Sequence, residues 1–117
     1  MRLSSPIGLL LLWASLASWA DPAPLPRDVQ AFVETRESCD HWRGEGGYDE
    51  ERRKDIDWSI CQSCRGTDAE LARLKRKYRR SAHVMDALAA FEPHIEPDDK
   101  AAVERFCKAT RKPSWEH

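Results

Sequence analysis

Four cysteines, Cys39, Cys61, Cys64 and Cys107, constrain this 117-residue chain more than any other feature. An even set in a short chain reads as two cross-links or as a metal site, and the redox compartment decides between them. The N-terminus speaks to the compartment. Arg2 supplies a positive start, Ile7 to Trp13 (IGLLLLW) opens an apolar run, and Ser18 and Ala20 are the small residues that precede a signal-peptidase cut. Residues 1–20 are therefore expected to be a secretory signal peptide, cleaved before Asp21. The competing reading, a membrane anchor, is weaker. Ile7 to Ala20 falls short of the ~20 residues a spanning helix needs, and no basic stop-transfer cluster follows.

In an oxidising compartment the four cysteines favour two disulfides, and four cysteines allow three pairings. Cys61 and Cys64 stand three apart, so on a helix they share a side and do not readily bond each other. Each is free to reach a different segment, Cys39 upstream or Cys107 downstream. Either crossed pairing would staple three helices.

Composition shows why such staples matter. Arg2 is the only charge in residues 1–20, so the remaining chain carries 18 basic and 20 acidic side chains, a net charge of −2. About 39% of that mature chain is charged, which leaves a thin core for a domain this short. Near-neutrality also argues against nucleic acid as a partner, since general nucleic-acid binders are usually strongly basic.

Residues 21–26 (DPAPLP) hold three prolines in six and should form an extended leader. Residues 27–112 read as one helical domain and 113–117 as a C-terminal tail. Val29, Phe32 and Val33 follow helical spacing, which predicts a first helix from Arg27 to about His41 before Gly44, Gly46 and Gly47 break it. A second helix is predicted from about Asp49 to Arg65, with Ile56, Ile60 and Cys64 as its inner stripe and Gly66 as its stop. Thr67-Asp68-Ala69-Glu70 has the form of a capping box, opening a third helix with Leu71, Leu74 and Tyr78 inward. Ser81 starts a fourth, carrying Val84, Met85, Leu88 and Phe91 to a stop at Pro93. A fifth, from about Asp98 to Thr110, sets Val103, Phe106, Cys107 and Thr110 on one face. No alternating β pattern of useful length occurs. The expected fold is all-α, a small bundle of four to five short helices stapled by disulfides.

The run VETRESCDHWRGE (residues 33–45), with CRGTD (64–68) and LARLKRKY (71–78), resembles a group of small exported proteobacterial proteins. That group carries a C-D-H-[FW]-R-G-E signature and a following C-x-G-T-D segment. The match covers roughly residues 29–80, about half the mature chain. The resemblance implies export and brings no activity with it. Because Cys39 and Cys64 fall inside the shared signature, it also implies the pairing Cys39–Cys64, leaving Cys61–Cys107.

Several constellations invite a chemical reading. The C-x-x-C at Cys61 to Cys64 sits at the end of a helix, where the dipole disfavours the thiolate that thiol exchange needs. Arg65 follows Cys64, so the haem-attachment pattern C-x-x-C-H fails. Cys39, His41, Cys61 and Cys64 together offer three thiolates and an imidazole, a set that zinc or copper would accept if the thiols stayed reduced. His41, Trp42, Arg43 and Glu45 read either as a recognition patch on a glycine-shaped turn or as a helix end, with Trp42 filling the core and Arg43 and Glu45 in ion pairs. Arg73, Lys75, Arg76, Lys77, Arg79 and Arg80 place six cations in eight residues. They are either a solvated face paired with neighbouring acids or a contact for an anionic partner.

No nucleophile, base and orienting acid can be assembled from spacing, so no catalytic residue and no cofactor is assigned. The expected function is a binding, inhibitor or other interaction module of the bacterial cell envelope, periplasmic or secreted. Its partner would be an envelope protein or an anionic envelope component, and no membrane-spanning segment is expected after signal cleavage. The alternative is a zinc- or copper-binding or thiol–disulfide exchange protein built on Cys39, His41, Cys61 and Cys64.

Overall fold

The computed structural model describes residues 23–116, so the expected signal peptide lies outside the described residues. Five helices follow in order: α1 (Arg27–Arg43), α2 (Glu50–Cys64), α3 (Thr67–Lys77), α4 (Ala82–Leu88) and α5 (Lys100–Ala109). No strand occurs among the described residues, and the all-α reading holds. Three helix starts are made by side chains that accept a backbone N–H from inside the first turn: Asp49 from Arg52, Ser81 from Val84 and Asp99 from Ala102. No helix among the described residues is long and apolar enough to cross a membrane.

The hydrophobic core lies at one end of the bundle. Val29 and Phe32 of α1, Leu71 and Leu74 of α3, and Val84 and Leu88 of α4 close on one another, with Leu25, Val33, Tyr78, Met85 and Phe91 packed around them. Helices α2 and α5 contribute nothing to this cluster. Helix α2 packs along α1 and buries Ile56, and sulfur ties both helices in: Cys39 of α1 bonds Cys64 of α2, and Cys61 of α2 bonds Cys107 of α5. The bridges interleave, since Cys61 lies within the loop that Cys39–Cys64 closes.

Three local expectations are corrected. The fourth helix stops at Leu88 rather than running to Pro93. The chain turns there so that Phe91 meets Phe32 edge-on at 5.3 Å, and Glu92 turns its carbonyl to the Arg36 guanidinium at 2.6 Å. The fifth helix buries only Cys107; Phe106 is 51% exposed and Val103 half-buried, because α2 is the one helix α5 packs against closely. The Thr67–Glu70 capping box does not form. Thr67 Oγ1 instead donates to the Cys64 carbonyl at 2.6 Å, and the start of α3 is closed from a distance.

That closure is reciprocal. The Glu96 carboxylate, from the segment before α5, accepts the N–H groups of Gly66 and Asp68 at 2.6 and 3.0 Å. The Asp68 carboxylate accepts the N–H groups of Ile95 and Glu96 at 3.0 and 2.9 Å. Gly66 turns between α2 and α3 with φ +81°, in the left-handed region that favours glycine. Asp68 also takes Arg36 Nη2 at 3.2 Å. Arg36 is wholly buried, with Asp40 3.8 Å from its Nε.

Candidate functional site

The end of α1 brings together part of the expected patch and divides the rest. Trp42 is half-buried and outside the hydrophobic core, which holds no tryptophan among the described residues, so the expectation that it fills the core is corrected. Its ring lies nearly parallel to that of Trp115, with centroids 6.3 Å apart and an angle of 12° between planes. The Arg52 guanidinium stands 5.2 Å from the Trp42 centroid, a cation–π distance. His41 meets Trp42 edge-on at 5.4 Å, and Glu45 lies 3.2 Å from His41 Nε2 and accepts from Arg52 at 3.4 Å. Arg43 departs from this group. It pairs with Asp40 at 3.0 Å and borders the groove between α2 and α5.

Beside this corner runs a cleft of about 520 Å³ between α1 and α2. Helix α1 contributes Thr35, Ser38 and Trp42, and α2 contributes Trp58 and Gln62. The C-terminal segment folds back so that Trp115 borders the cleft, donating from its indole nitrogen to Asp55 at 3.3 Å, while Pro113 is buried. Ser59 and Ser63, also on the lining, turn their hydroxyls inward to the carbonyls of Asp55 and Ser59, each at 2.7 Å. Sequence reasoning missed Trp58, Gln62, Arg52 and Trp115. A usable signal was present: Thr35, Ser38 and Trp42 at i, i+3, i+7, and Trp58 and Gln62 at i, i+4, each mark one helix face.

The basic run on and after α3 divides as well. Arg73 pairs with Glu70 at 2.6 Å and approaches Asp28 to 3.8 Å, while Lys77 donates to Asp28 at 2.6 Å. With Lys77 and the Tyr78 hydroxyl both donating to it, the Asp28 carboxyl is held down at about 2. The same contact raises the Lys77 ammonium, and Glu70 raises the Arg73 guanidinium. Lys75, Arg76, Arg79 and Arg80 form no ion pair among the described residues, and the three arginines are exposed.

The thiolate set of the alternative reading is not present in this oxidised chain. Cys39, Cys61 and Cys64 are all disulfide-bonded, none of the four cysteines is free, and His41 faces Glu45. The Cys61–Cys107 bridge instead borders the groove of about 440 Å³ between α2 and α5, with Ile60, Ile95, Val103 and Phe106. Two disulfides are what an oxidising, extracytoplasmic environment forms and preserves. Compared with known proteins, the chain matches no family model, no curated protein and no solved structure.

Proposed function

We propose that the protein is an exported binding module of the bacterial cell envelope, periplasmic or secreted, that docks on an anionic envelope component without catalysis. The observation that carries this reading is the group Lys75, Arg76, Arg79 and Arg80, whose charge no acid of the described residues neutralises. Charges held this way at one end of a helix attract a negative surface, each basic residue adding about 1 kcal/mol close to it. The two bridges suit the same compartment.

The test is sedimentation of the oxidised protein with vesicles of phosphatidylglycerol and phosphatidylcholine, against phosphatidylcholine alone, at low and high salt. Binding should need the anionic lipid and weaken as salt rises. Changing Arg76, Arg79 and Arg80 to Gln should reduce partitioning by about a hundredfold. Equal binding to neutral vesicles, or an unaffected triple variant, defeats the reading.

A further inference from the structure

We infer that the cleft between the outer faces of α1 and α2, bordered by the C-terminal segment, is a binding site for a neutral oligosaccharide whose hydroxyls are largely equatorial. The site is distinct from the basic surface of α3 and does not depend on it.

Large aromatic side chains are what a thin core would be expected to use first, yet Trp42, Trp58 and Trp115 border this cleft and take no part in the apolar cluster. Trp115 is 47% exposed. The indole N–H groups of Trp42 and Trp58 have no hydrogen-bond partner among the described residues, and neither is sealed from solvent. The side chains of Thr35, Ser38 and Gln62 are likewise exposed and without a partner among the described residues. With the Trp42 ring taken up by Trp115 and Arg52, the cleft offers the rings of Trp58 and of the exposed Trp115 beside unspent donors and acceptors.

Ligand classes are separated by that combination. No lysine or arginine of the described residues is on the lining, and the nearby Arg52 guanidinium is already held by Glu45 and the Trp42 ring, so no free cation is placed to read a phosphate, a carboxylate or a nucleic-acid backbone. An apolar helix laid there would bury the indole N–H groups and the Gln62 amide without partners, each loss costing affinity. An organic cation would gain from Glu34 and Glu116 on the lining, but the Trp42 ring already meets the Arg52 guanidinium, and the cation would leave the same donors unsatisfied. A pyranose with equatorial hydroxyls presents an apolar C–H face to an indole and a rim of hydroxyls that both donate and accept. The cleft volume lies in the usual range for small-ligand sites.

The experiment titrates the oxidised protein with cellotetraose and with the β-1,4-linked tetramer of N-acetylglucosamine, following tryptophan emission and heat, with choline chloride as the comparison. A saturable response to either sugar is expected, with choline chloride silent. Trp115→Ala should weaken binding about tenfold, as loss of an aromatic contact in a small site does. The combined variant Thr35→Ala, Ser38→Ala, Gln62→Ala touches only exposed positions, so it should keep the wild-type melting curve and still bind about tenfold more weakly. The variant with Arg76, Arg79 and Arg80 changed to Gln should bind sugar as the wild type does, which separates this site from vesicle docking. Absence of a saturable response to both sugars up to roughly 10 mM overturns the proposal. So does a saturable response to choline chloride in place of the sugars, or sugar binding that the combined variant leaves unchanged.

Discussion

Arg36, fully buried on α1, and Asp68, in the first turn of α3, meet at 3.2 Å across 32 residues of chain. The Arg36 guanidinium has few other partners. Glu92 offers a carbonyl at 2.6 Å and Asp40 a carboxylate oxygen at 3.8 Å, while Nε and Nη1 make no hydrogen bond. Asp68→Ala should therefore destabilise the domain by about 3–5 kcal/mol, because it leaves the buried charge with only the more distant Asp40 carboxylate and strips the Ile95 and Glu96 amides of their acceptor. Arg36→Met removes the charge together with its need for a partner and should cost less. A double-mutant cycle by urea unfolding checks this, with a coupling above about 1 kcal/mol expected.

The Glu96 carboxylate acts as an N-terminal cap for α3 although it is supplied from 28 residues downstream. Glu96→Ala should cost about 1–2 kcal/mol, the upper range for an N-cap, whereas Glu70→Ala should leave the helix start unaffected. Thermal melts of the two variants distinguish this clasp from the capping box that the local sequence suggests.

Much of the architecture is legible locally, and what is not is held by distant partners. Helical spacing marks the apolar stripes of α1, α3 and α4, and both bridges pair as the signature around Cys39 and Cys64 implies. Arg36 looks like one more surface charge, because nothing near it in sequence reveals Asp68 or the Glu92 carbonyl 56 residues away. Thr67 illustrates the opposite error. Its motif is sound, but the Cys64 carbonyl and the Glu96 carboxylate are the better partners once the chain is folded. Phe106 and Val103 have the spacing of a core face, and only the placement of α5 against α2 shows that Phe106 stays exposed and Val103 half-buried. The tryptophan cleft was half visible: Trp42 belongs to an evident motif, whereas Trp115 arrives from the tail.

Helix α2 is both packed on α1 and bridged to it, whereas α5 has only a small contact with α2, so the two bridges should fail differently. Loop closure in the unfolded chain gives them about 3.5 and 4 kcal/mol for separations of 25 and 46 residues. Cys107→Ser with Cys61→Ser should release α5 while α1, α3 and α4 stay protected in hydrogen exchange. Cys39→Ser with Cys64→Ser should loosen α1 from α2 and lower the melting temperature of the whole domain. Either double variant should fall further than one with Arg76, Arg79 and Arg80 changed to Gln, since exposed charges alter stability by only about 0.5 kcal/mol.

Asp28 sets an acid dependence. Its folded carboxyl titrates at about 2 against an ordinary value of 3.8, so its contribution is complete above that ordinary value and is lost as pH falls toward 2. Melting temperature should therefore drop between about pH 4 and pH 2, and Asp28→Asn should flatten that part of the profile while lowering stability at neutral pH. The groups responsible are Lys77 and Tyr78, so Lys77→Gln should flatten it in part.

The interleaving of the bridges has a consequence for how the protein is made. As the chain grows from its N-terminus, Cys39 and Cys61 emerge first and can be oxidised to each other before Cys64 is present. Joining cysteines in order of appearance would give Cys39–Cys61 and Cys64–Cys107, neither of which is native. Reaching the native pairs from there requires thiolate attack on a formed disulfide and passage through mixed species. The yield of native protein should then follow the isomerase activity of its compartment, and a stronger oxidant alone should trap more of the chain in the consecutive pairing.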